Sequence, residues 1–308
     1  MMICPDCALA LSETDLLRCS TCDWQGEMRE GIPVYLSRRD RKDPTLKEYL
    51  ENYRRLSDDD LEKSILDERY IENQAANLAS CVGNLEGTEV CDLGTGKGLL
   101  AKALLARGAK RVTVIDISLS YLDRLREVPN IRPILANAEN LPFFETFDVV
   151  VSTDVMEHVL NVGSFLFALN LEVKKGGVVY IRVPYRESLL RYSTHLGCSY
   201  RFVHLRSFNK DTLRIYLEDA GFVIKEFRLD GFNLSTPRKF WMSTGKRSAW
   251  YSFFQSTVTR WLSHPTNVTL WNSRLAGLFM PPLEIIAIAR KQSRIDKLPN
   301  GGFTLTPL

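Results

Sequence analysis

The stretch EVCDLGTGKGLLAKALLARG, which begins at Glu89, constrains the fold more than any other part of this 308-residue chain. A short apolar strand runs into a turn with three glycines, Gly94, Gly96 and Gly98, and an apolar helical pattern follows. Glycines at a strand-to-helix turn let a ligand approach the backbone and the helix N-terminus. A dinucleotide site needs G-x-G-x-x-G, but Leu99 stands where its third glycine belongs. The spacing therefore indicates a ligand that is not anchored by a pyrophosphate.

Further apolar strands alternate with helical patterns after this turn. RVTVID ends in Asp116, IRPIL spans residues 131–135, FDVVVST begins at Phe147, GGVVYIRVP covers 176–184 and FVIKEFRL covers 222–229. Strands that are apolar throughout and alternate with helices predict a parallel sheet that is covered on both faces. An acid at the end of the second strand, Asp116, suits a pair of ribose hydroxyls.

Two pairs of cysteines at the start of the chain form a metal-ligand pattern. Cys4 and Cys7, then Cys19 and Cys22, stand at the spacing that puts two thiolates on one knuckle. Two such knuckles complete a tetrahedral zinc site with no open coordination position, so we expect a structural ion. The ion would fold residues 1–36, a ribbon too short to hold a core without it. We expect this ribbon and the sheet to have separate cores.

Residues 37–85, between the ribbon and the glycine turn, are predicted to be a linker followed by helices. Residues 37–44 are charged, lack apolar side chains and end in Pro44, which is typical of a linker. Ser57, with Asp60 three residues later, predicts a capping box at the start of a helix. Helices that pack on the sheet are favoured here over a lid above the substrate.

The motifs of residues 86–230 resemble one enzyme family when they are taken as a set. DLGTGKG, VIDIS, NAENLPF with FDVVVSTDVMEHV, and HLRSF with LRIYLEDAGF look like the class I S-adenosylmethionine-dependent methyltransferases. The resemblance implies an α/β fold, a Rossmann-like seven-stranded and mostly parallel sheet. The zinc ribbon would precede this sheet, and a helical insert, residues 231–281, would come before the last strand in residues 282–308.

The same resemblance implies the cofactor S-adenosyl-L-methionine and the residues that hold it. The glycine turn would accommodate the methionine part with Asp92 near the amino group, and Asp116 would hold the ribose. Many relatives have Asp where this chain has Asn137, but an amide can still accept from the adenine amine. The implied cofactor-binding residues are Asp92, Gly94, Thr95, Gly96, Gly98, Asp116, Ile117, Asn137, Ala138 and Asp154.

The ribbon carries a resemblance of its own. CPDC, CSTC and REGIPVYL, at residues 29–36, resemble the small zinc-ribbon protein that activates several tRNA, rRNA and release-factor methyltransferases. They also look like the ribbon at the front of some bacterial methyltransferases. This resemblance implies a structural Zn²⁺, held by Cys4, Cys7, Cys19 and Cys22, and it motivates RNA as an alternative acceptor.

Two histidines are candidates for catalysis. Methyl transfer from a sulfonium is an in-line displacement, in which the enzyme aligns the reactants and can remove a proton from the nucleophile. His158 follows the fourth strand, and His204 lies in the segment that roofs the pocket in the resembled family. Because the E-H-V pattern recurs across relatives with different substrates, a scaffolding role is favoured for His158, whereas His204 stays open. The chain lacks the motifs of enzymes that methylate exocyclic amines of bases or a cytosine carbon. The methyl acceptor is therefore expected to be a hydroxyl, an amine or an activated carbon.

The insert at residues 231–281 has an unusual composition. It contains four of the five tryptophans and six Lys or Arg, but no Asp or Glu. Apolar residues near 248–262 recur at helical spacing. We consider a helical cap over the sheet or between two subunits, an interfacial helix on lipid, and a surface for nucleic acid. The insert lacks a dense basic cluster, so a lipid or lipid-linked substrate ranks above RNA.

We therefore predict a methyltransferase for a small-molecule or lipid/glycan-linked acceptor, with oxygen as the favoured methylated atom. The alternatives are an RNA methyltransferase and a non-catalytic, cofactor-binding scaffold. Cys4 stands where a signal peptide would need an apolar region, and no apolar run approaches the ~18 residues of a membrane span. The expected location is the cytoplasm, with peripheral contact at the inner face of the membrane through residues 248–262. A homodimer through the insert is the alternative use of that surface.

The cysteine pattern predicts one zinc ion per chain, because the four thiolates complete a single tetrahedral site. Elemental analysis of the purified protein under reducing conditions measures this content. Replacing Cys19 with serine is expected to lower it, since the zinc would lose one of its four ligands. A fully reduced protein without zinc contradicts the ribbon assignment.

Overall fold

The structure, a computed structural model, describes residues 1–63, 68–231, 242–243, 246–262, 280–297 and 303–308. Most of the predicted insert, with Trp241 and Trp271, lies outside these described residues. Within the described ranges, no helix is both long enough and apolar enough to cross a membrane.

Residues 1–85 contain a hairpin and three helices. The hairpin pairs β1 (Glu27–Arg29) with β2 (Ile32–Val34) in antiparallel register. Its turn places Glu30 and Gly31 at positive φ, where glycine is favoured at the second position. The helices are α1 (Arg38–Lys42), α2 (Pro44–Lys63) and α3 (Glu68–Val82).

Strands and helices alternate in the central part of the chain, as predicted. The strands are β3 (Glu89–Leu93), β4 (Arg111–Asp116), β5 (Ile131–Leu135), β6 (Phe147–Thr153), β7 (Val173–Pro184) and β8 (Phe222–Asp230). The helices are α4 (Leu99–Leu105), α5 (Leu119–Asp123), α6 (Val162–Glu172) and α7 (Lys210–Asp219). Each strand that the sequence predicted is present, and Asp116 closes β4.

Among its described residues, the C-terminal part adds the last strand of the sheet, four shorter strands and one helix. The described elements are β9 (Met242–Ser243), β10 (Lys246–Arg247), α8 (Ala249–Leu262), β11 (Glu284–Lys291), β12 (Ser293–Lys297) and β13 (Phe303–Pro307). The helix expected from the apolar spacing near residues 248–262 is present as α8.

One sheet organises the chain, with the strand order β1-β2-β5-β4-β3-β6-β7-β11-β8. The strands β3 to β7 pair in parallel, and β11 runs antiparallel between β7 and β8. These seven strands form the predicted Rossmann-like sheet. The sheet has nine strands rather than seven because the hairpin of the ribbon extends it.

Both faces of the sheet are buried, which explains why its strands are apolar throughout. Val112 and Val114 of β4 belong to one buried cluster, whereas Ile115 belongs to the other. Alternate side chains of a strand point to opposite faces, so a strand between two layers of helices needs apolar residues at every position.

The ribbon is continuous with the sheet. Val34 of β2 pairs in parallel with Leu135 of β5, and the amide of Tyr35 donates to the carbonyl of Leu135 at 2.8 Å. Trp24 is only 1% exposed and lies in the same buried cluster as Phe143 and Phe147. The expectation of separate cores is therefore wrong, because apolar side chains of the ribbon complete the main core.

The segment at residues 37–44 is ordered by its own caps. Ser37 and Asp40 form a capping box at the start of α1, and Asp40 is buried. Pro44 then begins α2, a position at which its missing N–H costs nothing. The capping box predicted at Ser57 is wrong, because α2 begins earlier and Ser57 donates to the carbonyl of Arg54 inside the helix at 2.8 Å.

Because Trp24 is part of the main core, Trp24→Ala is expected to destabilise the whole chain by ~3–5 kcal/mol. The control Trp250→Ala removes a side chain that is 78% exposed, and it should change the free energy of unfolding by less than ~0.5 kcal/mol. Chemical denaturation, monitored by fluorescence and by circular dichroism, measures the free energy of unfolding of both variants. Two separate transitions in the wild type, with Trp24→Ala affecting only one, would contradict a shared core.

Candidate active site

The glycine turn lies at the carboxyl edge of the sheet, where β3 ends. Gly94, Gly96 and Gly98 all have positive φ, a conformation that side-chain-bearing residues rarely adopt. A Cβ at Gly94 would collide with Val155, and one at Gly98 would collide with Leu125. A Cβ at Gly96 would meet nothing within 4 Å. Packing therefore requires the outer two glycines, while the middle one borders open space that a ligand can enter.

Asp92, at the start of this turn, carries an unused hydrogen-bond acceptor. Its Oδ2 accepts from the Thr95 hydroxyl at 2.8 Å, while the buried Oδ1 has no partner among the described residues. Burial raises the pKa of Asp92 to about 7. A buried carboxylate oxygen without a donor is costly, so this oxygen fits a cationic group of a bound ligand.

Asp116 is held at the mouth of the turn by backbone donors. Its Oδ2 accepts from the amide of Gly96 at 3.1 Å, and its Oδ1 accepts from the amide of Ser118 at 2.9 Å. Burial raises its pKa, and these amide donors act in the opposite direction. Ile117 follows directly and is half-buried. Asp116, the implied ribose-binding residue, and its neighbour Ile117 therefore lie beside the glycine turn.

Asn137 is tied to a residue that sequence analysis did not identify. Its Nδ2 donates to Oδ1 of Asp40 at 2.8 Å, and its Oδ1 accepts from the amide of Glu139 at 3.0 Å. An amide side chain has two hydrogens and two acceptor sites, so one of each stays available for a ligand. Ala138 follows and is half-buried. The sequence signal that could have identified Asp40 is Ser37 three residues before it, because this spacing is typical of a capping box.

Helix α2 covers this edge of the sheet and is bonded at both sides. On the Asp116 side, Ser57 bonds Ser118 at 2.7 Å and Asp58 accepts from Ser120 at 2.7 Å. On the other side, Asp59 accepts from the Tyr200 hydroxyl at 2.5 Å. The helix therefore spans the mouth of the site. This geometry matches the lid that the sequence analysis ranked second.

The two candidate histidines lie together on the far side of the glycine turn. Their ring centroids are 4.6 Å apart with perpendicular planes. The Nδ1 atom of His158 bonds the carbonyl of Val203, and Nδ1 of His204 lies 2.5 Å from Oε1 of Glu187. If each Nδ1 carries the proton of its bond, each Nε2 presents a lone pair.

Burial shifts the pKa of two groups at this pair, His158 and Glu157, towards the neutral form. It lowers the pKa of His158 to about 3, and the neighbouring His204 lowers it further. Burial also raises the pKa of Glu157 well above its usual range, with the charge of Asp154 as a smaller cause. Both oxygens of Glu157 lack a hydrogen-bond partner in the described part of the chain. A polar ligand at this edge of the sheet can therefore bond to Glu157.

Two groups of side chains have the spacing of metal ligands. In the ribbon, the sulfurs of Cys4 and Cys22 are 3.6 Å apart. Sulfurs at the corners of a zinc tetrahedron lie ~3.8 Å apart, so the cysteines fit a structural zinc ion. In the site, one ligand atom each from Glu157, His158 and His204 lies within 4.8 Å of the others, so these side chains can also hold a cation.

Asp154, an implied cofactor-binding residue, is paired with an arginine. Its backbone has a φ of 55°, and its Oδ2 accepts from Nη2 of Arg182 at 2.5 Å. Asp230 and Glu284 lie near the same arginine at the ends of β8 and β11, and burial raises the pKa of both. Sequence analysis missed these acids because antiparallel pairing of distant strands brings them here.

Comparison with known proteins places these observations in one family. The methyltransferase domain family matches residues 41–226. A ubiquinone biosynthesis O-methyltransferase of Dictyostelium discoideum is 31% identical over 156 residues, which are 46% of this chain and 49% of that protein. One of Pseudomonas syringae pv. tomato is 32% identical over 160 residues, which are 46% of this chain and 68% of that protein. The chain thus spans about half of the length of the first relative and about two-thirds of the length of the second.

A solved structure shares the fold. The complex of the Haloferax volcanii Trm112 methyltransferase activator with a methyltransferase matches with a TM-score of 0.55 at 18% identity. The match covers 77% of this chain and 96% of that chain. Because the family match covers more than half of the sequence, the chain belongs to the methyltransferase domain family, with the class I fold of S-adenosylmethionine-dependent enzymes.

Proposed function

We propose that this chain transfers a methyl group from S-adenosylmethionine to a hydroxyl oxygen of a small-molecule acceptor. The observation that carries the proposal is the pair of His158 and His204, whose rings lie 4.6 Å apart at the carboxyl edge of the sheet. This pair supports removal of the proton from an acceptor hydroxyl at the edge of the sheet where the glycine turn would hold the methyl donor. The relatives named as O-methyltransferases support oxygen as the acceptor atom.

The residues at the glycine turn fit the cofactor. S-adenosylmethionine supplies an electrophilic methyl group on a sulfonium when it is bound. We propose that the unpartnered oxygen of Asp92 accepts from its ammonium group and that Asp116 accepts from its ribose hydroxyls. Asn137 and Ala138 would border the adenine, and the open space at Gly96 would admit the methionine part of the cofactor.

His204 is the proposed base. Glu187 holds its Nδ1 side at 2.5 Å, so Nε2 is the nitrogen that can take the proton of an acceptor hydroxyl. A carboxylate on the opposite nitrogen selects the tautomer and stabilises the imidazolium that forms. His158, with burial lowering its pKa to about 3, would stay neutral and support the ring of His204.

A cation at Glu157, His158 and His204 is the second candidate for activating the hydroxyl. Their ligand atoms lie within 4.8 Å of one another. A divalent ion there would lower the pKa of a bound hydroxyl and replace the base. In that case both histidines act as ligands rather than as proton acceptors.

The aromatic lining supports a flat acceptor. Tyr192 stacks on His204 with ring centroids 3.9 Å apart, and Tyr53 of α2 lies edge-on to His158 at 5.5 Å. Aromatic rings prefer such offset or perpendicular neighbours, so an aromatic acceptor suits this wall. Because the relatives take part in ubiquinone biosynthesis, we propose a ring hydroxyl of a quinone-type molecule, free or lipid-linked.

The exposed face of α8 supports delivery of such an acceptor from lipid. Trp250 and Phe253, one turn apart, are 78% and 67% exposed. The insert around them carries six basic residues and no acid. Aromatic and basic residues together suit an anionic membrane surface, so we propose peripheral contact there from the cytoplasmic side. A homodimer through α8 is the alternative use of this surface. An RNA acceptor is the alternative to a small molecule, and the resemblance of the ribbon motivates it.

The raised pKa of Asp92 predicts that cofactor affinity depends on pH. Below about 7 the carboxyl group is protonated and loses its attraction for the ammonium group, so affinity should fall by up to about tenfold per pH unit. Asp92→Asn should weaken binding by ~1.5–3 kcal/mol at pH 7.5 and abolish this dependence. Calorimetry between pH 5.5 and 7.5 measures both. Asp148→Asn, at the opposite edge of the sheet, is the control, and a flat wild-type profile contradicts the assignment.

His204→Gln is expected to lower methyl transfer by about 100-fold or more, because it removes the proposed base. Purified protein is incubated with labelled S-adenosylmethionine and cell extract, and label is counted in the lipid-soluble, aqueous and RNA fractions. We expect label in small molecules and no change for His195→Gln, an exposed histidine of the same segment. Ribonuclease-sensitive label would favour the RNA alternative, and cofactor binding without any transfer would favour the scaffold.

A further inference from the structure

We propose that the zinc knuckle of the ribbon positions the adenine side of the cofactor pocket, so that zinc occupancy sets cofactor affinity. Asn140 and Asp40 are the positioning residues. This inference rests on the proposed function, because it takes residues 136–144, the loop after β5, as the adenine side. The ribbon reaches this adenine loop by two routes.

The first route is direct. The side-chain Nδ2 of Asn140 donates to the carbonyl of Pro5 at 2.8 Å. Pro5 stands between the two cysteines of the first knuckle, Cys4 and Cys7. A zinc ion bound to both thiolates would fix the position of a carbonyl inside the knuckle. The knuckle therefore holds Asn140 in place.

The chain before the knuckle extends this contact along the adenine loop. The amide of Ile3 donates to the carbonyl of Pro142 at 2.9 Å, and Met2 forms an antiparallel bridge with Phe143. The amide of Phe144 donates to the carbonyl of Met1 at 2.9 Å. The adenine loop thus has a strand-like partner in residues 1–3, and the following knuckle anchors that partner.

The second route passes through α1. Asp6, inside the same knuckle, accepts from the backbone amide of Arg38 at 2.8 Å and from its guanidinium group. Two residues later, the buried Asp40 accepts from Nδ2 of Asn137 at 2.8 Å. The other oxygen of Asp40 accepts from the amide of Ser37 at 2.8 Å, which holds the carboxylate in one orientation. Asn137 is therefore oriented by a residue whose helix is bound to the knuckle.

The methionine side of the pocket has no such dependence. Asp92 bonds Thr95, and Asp116 bonds Gly96 and Ser118, all within the strand ends and turns of the sheet. Loss of zinc should therefore loosen the adenine loop and leave the glycine turn in place. This asymmetry separates a positioning role from a general loss of stability.

The test measures the affinity for S-adenosylmethionine by calorimetry in the full chain. Three forms are compared: wild type with zinc bound, wild type after removal of zinc by a chelator under reducing conditions, and Asn140→Ala. Each form also undergoes hydrogen exchange at residues 136–144 and 92–98. Asn140→Ala keeps all four cysteines, so it tests the contact even where the zinc-free protein fails to fold.

The control is Asn209→Ala. Asn209 caps α7, and its side chain accepts from the amides of Asp211 and Thr212 away from the ribbon. Loss of such a cap costs about 1 kcal/mol of stability, similar to the loss of one hydrogen bond at Asn140. A variant that is merely destabilised should therefore behave like Asn209→Ala.

We expect Asn140→Ala to weaken cofactor affinity about three- to tenfold with its zinc content unchanged, and zinc removal to weaken it further. Exchange should rise at residues 136–144 but not at 92–98, whereas Asn209→Ala should leave affinity unchanged. Unchanged affinity in Asn140→Ala, or an equal loss in Asn209→Ala, overturns this inference alone. Zinc-loaded wild type that does not bind the cofactor overturns the proposed function as well.

Discussion

The parallel pairing of β3 with β4 and β6 is the constraint on which the rest of the structure depends. It brings three carboxyl strand ends to one edge, so that Asp92, Asp116 and the segment around His158 become neighbours although they are far apart in sequence. Helices cover both faces, which leaves this edge as the place for a ligand. The glycine turn can approach a ligand only because its φ angles are positive and its middle Cβ position is open.

The ribbon is a structural part of this edge rather than an appended module. Its strand β2 extends the sheet beside β5, the strand that leads into the loop of Asn137. Trp24 joins the main core, and α1 brings Asp40 to Asn137. A metal site in the first residues of the chain and the proposed adenine side therefore share one packed unit.

Several carboxyl groups at the site are buried with an oxygen that has no hydrogen-bond partner within the ranges that the structure describes. Asp92, Glu157 and Glu284 each have an oxygen without a partner among the described residues, and burial raises the pKa of all three. Such groups destabilise a folded chain unless a ligand or proton satisfies them. At the carboxyl edge of the sheet, a bound ligand or a proton can satisfy them, and this supports the proposed site there.

The sequence by itself determined the zinc ligands, the parallel sheet, the glycine turn and the strand-end acids, because these depend on local spacing and on periodicity. Every predicted strand is present, and the last strand expected in residues 282–308 is β11. The tertiary structure alone decided the shared core of the ribbon, the bond of Asp40 to Asn137, the position of α2 above the site and the pairing of His204 with Glu187. These features join residues that are distant in sequence, and their partners are chosen by packing in three dimensions. The start of α2 at Pro44 instead of Ser57 is a different case, because its local signals, Pro44 at the first helical position and the Asp43 side chain before it, stand in the segment predicted to be a linker.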